Sequence, residues 1–277
     1  MTKVSALAVL AAAAFCTAAG AAGPSPGVMF GGTGVAAPNG NVRYVAMSNG
    51  STTVVQTVAA QTGRVVRWTW LQGSFGVPIV AFDGQTEGLT ADGRTLVVAP
   101  FLGQTSATAT TFVLLDTRRL KVKERVTLRG QFSFDAMSPD GKTIYLIEYQ
   151  SQDGSHYLVR AYDVAAHRLL ATPVADAEEK GPMTGAPITR VRTASGSWAY
   201  TLYASDHAPF VHALDTVHRK AVCVDLPESW KDTQSLFRVR MSLVGSKLVL
   251  RQSGVGQLAS IDTRTFEVQT YRQPARR

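Results

Sequence analysis

The sequence predicts an all-β fold, a β-propeller of five four-stranded blades, because hairpin patterns recur along it at a regular interval. Between Phe132 and Tyr149 a short apolar run, an Asp140-Gly141 turn and a β-branched and aromatic run follow one another. This order is typical of a hairpin with a tight turn. Related units recur at residues 88–99, 191–203 and 241–251. Each unit leads into a second hairpin, so one repeat supplies four strands.

The second hairpins give the period of the repeat. Four of them open their turn with an aspartate: Asp116, Asp163, Asp215 and Asp262. Their spacing of about 50 residues is that of propeller blades built from two hairpins. A fifth, less regular copy lies upstream, with Ala59 in the aspartate position. A single blade cannot bury both of its faces, so the stack of blades is the folding unit.

The count of blades depends on how the remaining segments are used. Five second hairpins predict five blades, and a sixth would need strands from the N-terminal segment and from residues 71–86. We expect residues 71–86 to connect the first and second blades. The alternative fold is an open β-sandwich built from the same short strands.

Two segments of the repeat carry a family resemblance. SPDGKTIYLIEY and AYDVAAHRLL resemble the repeats of YVTN-type and WD-repeat propellers, and the likeness extends over residues 28 to 272. The Trp-Asp dipeptide of true WD repeats is absent, so the YVTN-like group fits better. The resemblance implies the fold and says little about activity, because propellers carry many unrelated functions.

Residues 1–22 have the features of a signal peptide. Lys3 precedes a short apolar run at residues 4–15, and Ala19-Gly20-Ala21 fits the small-x-small cleavage rule. The run is too short to cross a bilayer of about 30 Å as a helix, and no later segment is long and apolar enough. We therefore expect a secreted or extracytoplasmic bacterial protein, soluble after cleavage, with a single domain at residues 23–277.

The two cysteines do not predict a disulfide or an anchor. Cys16 follows Phe15, whereas a lipoprotein signal places a small residue there. Cleavage would remove Cys16 and leave Cys223 as the only thiol, which cannot form an intramolecular disulfide. Cys223 is predicted to be a small buried residue, with a reactive thiol as the alternative.

The charge is basic, and its distribution limits the classes of partner. The chain carries a formal net charge of +8, with arginines scattered along it. A basic extracytoplasmic protein can adhere to anionic polymers or lipid headgroups. Nucleic acid is not predicted as a partner, because the basic residues do not interleave with an aromatic platform. The sequence does not indicate an oligomeric state.

The long segments between strands are predicted to lie on one side of the propeller. They are residues 71–86, 100–109, 150–156, 175–188, 204–209 and 227–236. By propeller geometry these segments share one rim, which we call the long-loop rim, and the opposite rim carries short turns. Long loops on a rigid scaffold usually carry binding residues. Asp206, His207 and Trp230 are the candidates on this rim.

Searches for catalytic chemistry give no site. The sequence has no G-x-S-x-G, Walker, H-E-x-x-H or paired C-x-x-C motif, and we predict no cofactor and no catalytic residue. Asp206, His207 and His212 could ligate a metal, but their spacing belongs to no standard site, and we interpret them as surface-loop residues. No metal is predicted.

The inner strands predict a cluster of charges. Aligning the turn glycines Gly93, Gly141 and Gly196 places Glu87, Asp135 and Arg190 at one equivalent position. In the last repeat Arg240 lies next to that position. We expect these four residues to meet at the mouth of the central channel as a mixed-charge ring. The ring would either pin the inner strands together or seat a small anionic ligand between its arginines.

Taken together, these patterns predict an exported, non-enzymatic binding or scaffold protein. It would recognise a protein or an anionic envelope polymer through the long-loop rim. The alternative is a small lactonase- or lyase-like propeller enzyme with a polar site at the channel mouth.

Overall fold

A computed structural model describes residues 27–101, 108–151, 153–178, 181–230 and 232–271. The predicted signal peptide, residues 1–22, lies outside the described residues. The described chain forms five antiparallel sheets, four with four strands and one with five, which confirms the predicted all-β fold and five blades. No helix in the described ranges is long and apolar enough to cross a membrane.

The blades follow one another in chain order, each running from an inner to an outer strand. Strand β1 (Val28–Met29) pairs with the inner strand of the second blade. The first blade contains β2 (Val35–Ala36), β3 (Val42–Ser48), β4 (Thr52–Ala59) and β5 (Val65–Gln72). The second contains β6 (Phe75–Pro78), β7 (Thr95–Pro100), β8 (Ala109–Asp116) and β9 (Lys121–Arg129).

The remaining three blades repeat this arrangement. The third contains β10 (Phe132–Met137), β11 (Thr143–Tyr149), β12 (Tyr157–Asp163) and β13 (Arg168–Leu169). The fourth contains β14 (Ala186–Arg192), β15 (Trp198–Ala204), β16 (Phe210–Asp215) and β17 (Lys220–Asp225). The fifth contains β18 (Val239–Val244), β19 (Lys247–Gln252), β20 (Gly256–Asp262) and β21 (Val268–Thr270). A 3₁₀ turn, Glu228–Trp230, and a short helix, α1 (Thr233–Leu236), precede the fifth blade.

The repeated aspartates build the outer turns. The Asp116 carboxylate accepts hydrogen bonds from the backbone N–H groups of Arg118 and Arg119, at 2.8 and 3.1 Å, and Asp262 makes the equivalent pair. Four residues after each aspartate the backbone is left-handed, at Leu120, His167, Arg219 and Phe266. In the first blade Gly63 has the same conformation, with φ of 67°, four residues after Ala59. The irregular upstream copy is therefore a true blade.

Hydrophobic residues between consecutive blades form the core. One buried cluster joins the first and second blades through residues such as Val55 and Leu115. Three more join the second to the third, the third to the fourth, and the fourth to the fifth. None of the four clusters contains described residues of both the first and the fifth blade.

The connection between the first two blades differs from the expectation. Residues 71–86 are not one loop, because β5 continues to Gln72 and β6 begins at Phe75. The inner strand of the second blade is instead interrupted after Pro78. The isolated bridge between Ile79 and Thr86 closes the interrupting loop, and the bridge between Leu89 and Leu96 shows where pairing with β7 resumes. We call residues 79–86 the crossing loop. Pro78, just before this loop, and Gly84 within it are typical of a linker, which is why the sequence predicts a simple connection here.

Candidate functional site

An ion pair joins the inner strands of the third and fourth blades. Arg190 of β14 donates to both the carboxylate and the backbone carbonyl of Asp135 in β10, and its Nε donates to Thr201 Oγ1 at 2.8 Å. The pairing between β10 and β11 shifts register at Asp135. Such a β-bulge changes the direction in which a side chain points. Both charged side chains are almost completely buried. Burial disfavours the charged guanidinium, but the adjacent Asp135 carboxylate leaves the pKa of Arg190 raised.

Glu87 of the second blade lies close enough to interact electrostatically with both members of this pair, and it forms an ion pair of its own with a second arginine of β14. Its Oε2 lies 3.4 Å from Nη1 of Arg192, which also donates to the Leu89 carbonyl. Burial raises the pKa of Glu87, and the charges of Arg192 and Arg190 offset only part of this shift. Arg192 was missed in the sequence, although it lies two residues after Arg190 and therefore on the same face of β14.

Arg240 does not join the cluster. Its side chain is exposed, and its Nη1 donates to the carbonyls of Phe237 and Val239, beside it in the chain. The alignment placed Val239 at the equivalent inner position, and Val239 is buried in the apolar cluster of the fourth and fifth blades. Because successive side chains of a strand point to opposite faces, Arg240 lies on the face opposite to that of Val239. The structure thus brings together Glu87, Asp135 and Arg190, with Arg192 in place of Arg240. We call these four residues the inner charge cluster.

The crossing loop connects the second blade to the fourth. The backbone N–H groups of Phe82 and Asp83 donate to the carbonyls of Pro187 and Ile188, at 2.9 and 3.1 Å. Thr189 Oγ1 donates to the Asp83 carboxylate at 2.5 Å. These bonds reach the start of β14, three residues or fewer before Arg190. Blades that are not consecutive are thereby held together beside the inner charge cluster.

A polar strip extends from Arg190 across the fourth blade. Thr201, His212 and Cys223 stand opposite one another on three adjacent strands, and Cys223 Sγ lies 3.8 Å from His212 Nδ1. Burial lowers the pKa of His212 to about 4, so its imidazole is neutral at pH 7. Cys223 is half-buried, less enclosed than the sequence suggested. Within the described ranges no three His, Cys, Asp or Glu side chains are grouped to hold a metal.

Three cavities lie among the loops of the third, fourth and fifth blades. A cavity of about 460 Å³ is lined by residues including Met183, His207, Phe210 and Glu228. A second, of about 320 Å³, shares His207 with the first and adds Asp206. A third, of about 270 Å³, is lined by Trp230 together with residues of α1 and the fifth blade. We call them the rim cavities.

The loops around the rim cavities contact one another, as expected for loops of one rim. Tyr157 and Met183 exchange two backbone hydrogen bonds, at 3.1 and 2.8 Å, and the Leu226 N–H donates to the Pro209 carbonyl at 2.9 Å. Asp206 and His207 are both exposed. Trp230 is half-buried against the core of the fourth and fifth blades, so only part of its ring is accessible. All three candidates of the long-loop rim thus line cavities.

Comparison with known proteins gives the fold. No model of a known protein family matches the chain, and the comparison with curated proteins finds no match. Among solved structures, the β-propeller domain of Cps50 (Swd1) from Myceliophteria thermophila has a TM-score of 0.50 and 12% identity, covering 90% of this chain and 71% of that one. The Dos1 propeller has a TM-score of 0.50 and 14% identity, with coverages of 84% and 58%. The chain is a β-propeller.

A third similar structure carries no functional information. A functionally unknown protein from Desulfotomaculum acetoxidans has a TM-score of 0.52 and 12% identity, covering 83% of this propeller and 65% of that chain. The propeller thus spans less than two thirds of two of these three chains. At such identities the likeness concerns the fold alone, and YVTN-type membership remains a resemblance of sequence.

Proposed function

We propose that this propeller is an exported, non-enzymatic binding protein that recognises a protein partner through the long-loop rim of its third to fifth blades. The rim cavities are the observation that supports this most. They adjoin one another on loops carried by rigid sheets, and they mix apolar linings such as Met183 and Phe210 with exposed polar groups such as His207. Such concave, mixed surfaces on loops are typical of binding sites. Export rests on the signal-peptide pattern of residues 1–22.

The inner charge cluster supports a binding role more than the alternative of a lactonase- or lyase-like enzyme. A catalytic site needs charged groups that can reach a substrate. Asp135 and Arg190 are instead buried and bonded to each other, and the crossing loop is anchored beside them. We interpret the cluster as a device that holds the inner strands of three blades in register, rather than as a seat for a small anion.

The charge of the rim favours a protein over an anionic envelope polymer as the partner. Exposed carboxylates lie on the loops and strand ends around the rim cavities, where they outnumber the exposed Arg238 and Arg240 beside α1: Asp153, Asp206, Asp225, Glu228 and Asp232. They would repel a polyanion, whereas a protein surface can match them with basic and polar groups. Among the described residues around the rim cavities, acidic side chains therefore outnumber basic ones, although the whole chain is basic.

Photo-crosslinking in the native envelope tests the proposal. A photoreactive phenylalanine analogue at Asp206 or His207 should yield a discrete crosslinked species. The matched control positions are Asp92 and Arg94, which are also exposed but belong to a short turn of the opposite rim. Equal crosslinking from both rims, or none from either, would contradict the proposal.

A further inference from the structure

The largest of the rim cavities has an apolar lining that is held in place within the fourth blade. Met183, Phe210 and Leu226 supply apolar surface to this cavity of about 460 Å³. The Phe210 ring is stacked on Tyr203, with the ring centroids 5.2 Å apart, and the Leu226 N–H donates to the Pro209 carbonyl. The lining therefore needs no partner in order to form.

Three carboxylates line the same cavity: Asp176, Asp225 and Glu228. Two backbone donors position Asp176, because its Oδ1 accepts from the Glu178 N–H at 3.0 Å and its Oδ2 from the Cys223 N–H at 2.7 Å. A carboxylate has about four lone-pair sites, so both oxygens can still accept a hydrogen bond from a ligand. Asp225 and Glu228 are exposed and are free to adjust. We call this space the acidic cavity.

The carboxylates of the acidic cavity have no basic partner in the part of the chain that the structure describes. All the ion pairs found there join other residues, and the described lining residues of the three rim cavities include no arginine or lysine. The flanking segments are acidic in sequence too, since residues 175–185 and 225–235 each contain three acidic residues and one lysine. A concave site with one sign of charge attracts the opposite charge.

We propose that the acidic cavity seats an arginine side chain from an extended segment of the partner protein. This inference rests on the proposed function and adds the chemistry by which the rim would select its partner. The guanidinium would donate to the Asp176 carboxylate, and the methylene stem would lie against Met183 and Phe210. A cavity of about 460 Å³ is at the lower end of the size range of ligand pockets, which suits one long side chain with its flanking backbone.

The lining favours arginine over other cations. A guanidinium is less strongly hydrated than the lysine ammonium, so it loses less on entering a partly apolar site. Its fork of N–H donors can bond a fixed carboxylate and an adjustable one, such as Asp176 and Glu228, at the same time. A metal ion would need a closer set of ligands, and within the described ranges no three His, Cys, Asp or Glu side chains are grouped to hold one.

Selection from a random heptapeptide library displayed on phage tests this chemistry with the purified wild-type propeller. Enriched peptides should share an arginine with an apolar residue beside it. The most enriched peptide should bind about tenfold or more tightly than the same peptide with citrulline, which keeps the shape of arginine without its charge. No enrichment, an enriched set without arginine, or equal affinities of the arginine and citrulline peptides would overturn the proposal.

A double variant tests whether the peptide binds at the acidic cavity. Asp225→Asn/Glu228→Gln removes two carboxylates that line it and should weaken binding of the enriched peptide about tenfold or more. The matched control is Asp92→Asn/Asp140→Asn, which makes the same change in net charge at two exposed carboxylates in short turns of the opposite rim. This control should bind as wild type does. No loss in the first variant, or equal losses in both, would contradict binding at this cavity.

Crosslinking in the native envelope separates this inference from the proposed function. With the photoreactive residue at Asp206, the crosslinked species should be lost when Asp225→Asn/Glu228→Gln is added. If the species persists in that variant, the rim binds a partner without these carboxylates, and the inference fails alone. If no species forms even without the double variant, the proposed function fails, and the peptide affinities still decide whether the acidic cavity takes arginine.

Discussion

Arg190 and Asp135 form a buried ion pair between the inner strands of two neighbouring blades. The guanidinium also donates to the Asp135 backbone carbonyl, so one side chain fixes both the charge and the main chain of the adjacent blade. Buried ion pairs add little net stability when formed, but losing one partner leaves an uncompensated charge. The pair therefore specifies how the third and fourth blades meet more than it adds to the free energy of unfolding.

Arg190→Ala should lower the free energy of unfolding by about 3–5 kcal/mol, because Asp135 would remain buried without its cation. Chemical denaturation at pH 7 measures this loss. The matched control is Arg240→Ala, an exposed arginine that should cost well under about 1 kcal/mol. A small loss for Arg190→Ala, similar to that of the control, would mean that the pair is open to water.

Glu87→Gln should change the pH dependence of stability in a defined direction. Burial raises the pKa of Glu87 above its ordinary value of 4.5, so folding favours the protonated form. The stabilisation is complete below pH 4.5 and is lost as the pH rises through the folded-state pKa. The uncharged variant should therefore gain in stability relative to wild type as the pH rises. Glu228→Gln, at an exposed carboxylate, should show no such trend.

His212 should contribute a loss of stability in acid. Its folded-state pKa is about 4, below the ordinary 6.5, because the imidazole is buried. The neutral form is favoured by folding, so stability falls as the pH drops from 6.5 towards 4, by about 3 kcal/mol in all. His212→Gln should flatten this part of the stability curve, whereas His207→Gln, on the exposed rim, should leave it as in wild type. Parallel curves for wild type and His212→Gln would refute the assignment.

The signal-peptide pattern of residues 1–22 gives a prediction that is independent of the structure. The mature protein should begin near Ala22 or Gly23 and carry no lipid, because Ala19-Gly20-Ala21 follows the apolar run. N-terminal sequencing and intact-mass measurement of the exported protein test this. An acylated Cys16, or residues 1–22 still present in the exported protein, would contradict cleavage after Ala21 without lipidation.

The sequence predicted the blades well because turns and strands are encoded locally. Asp116 and its three equivalents mark turns through bonds to residues two or three positions away, and such signals can be read from short windows. The alignment on turn glycines also placed Glu87, Asp135 and Arg190 together. In a repeat protein, the same position of each repeat lies at the same height along its inner strand.

The features that the sequence did not predict depend on contacts between distant segments. Thr189 and Asp83 are hydrogen-bonded although 106 residues separate them, and nothing near either residue indicates that the crossing loop reaches the fourth blade. Arg240 was misplaced because the fifth blade puts apolar Val239 at the inner position. The rim cavities likewise need several loops at once, so their candidate residues could be predicted but the arrangement of those residues could not.

The central claim is that binding occurs at the long-loop rim and not at the inner charge cluster. Its most direct test is the affinity of the crosslinked partner, once identified, for three purified forms of the propeller by calorimetry. The double variant Asp206→Ala/His207→Ala should bind about tenfold or more weakly than wild type. The matched variant Asp92→Ala/Arg94→Ala, which removes an exposed acid and base from the opposite rim, should bind as wild type does. Equal affinities for wild type and the Asp206/His207 variant, or a loss confined to the Asp92/Arg94 variant, would contradict the account.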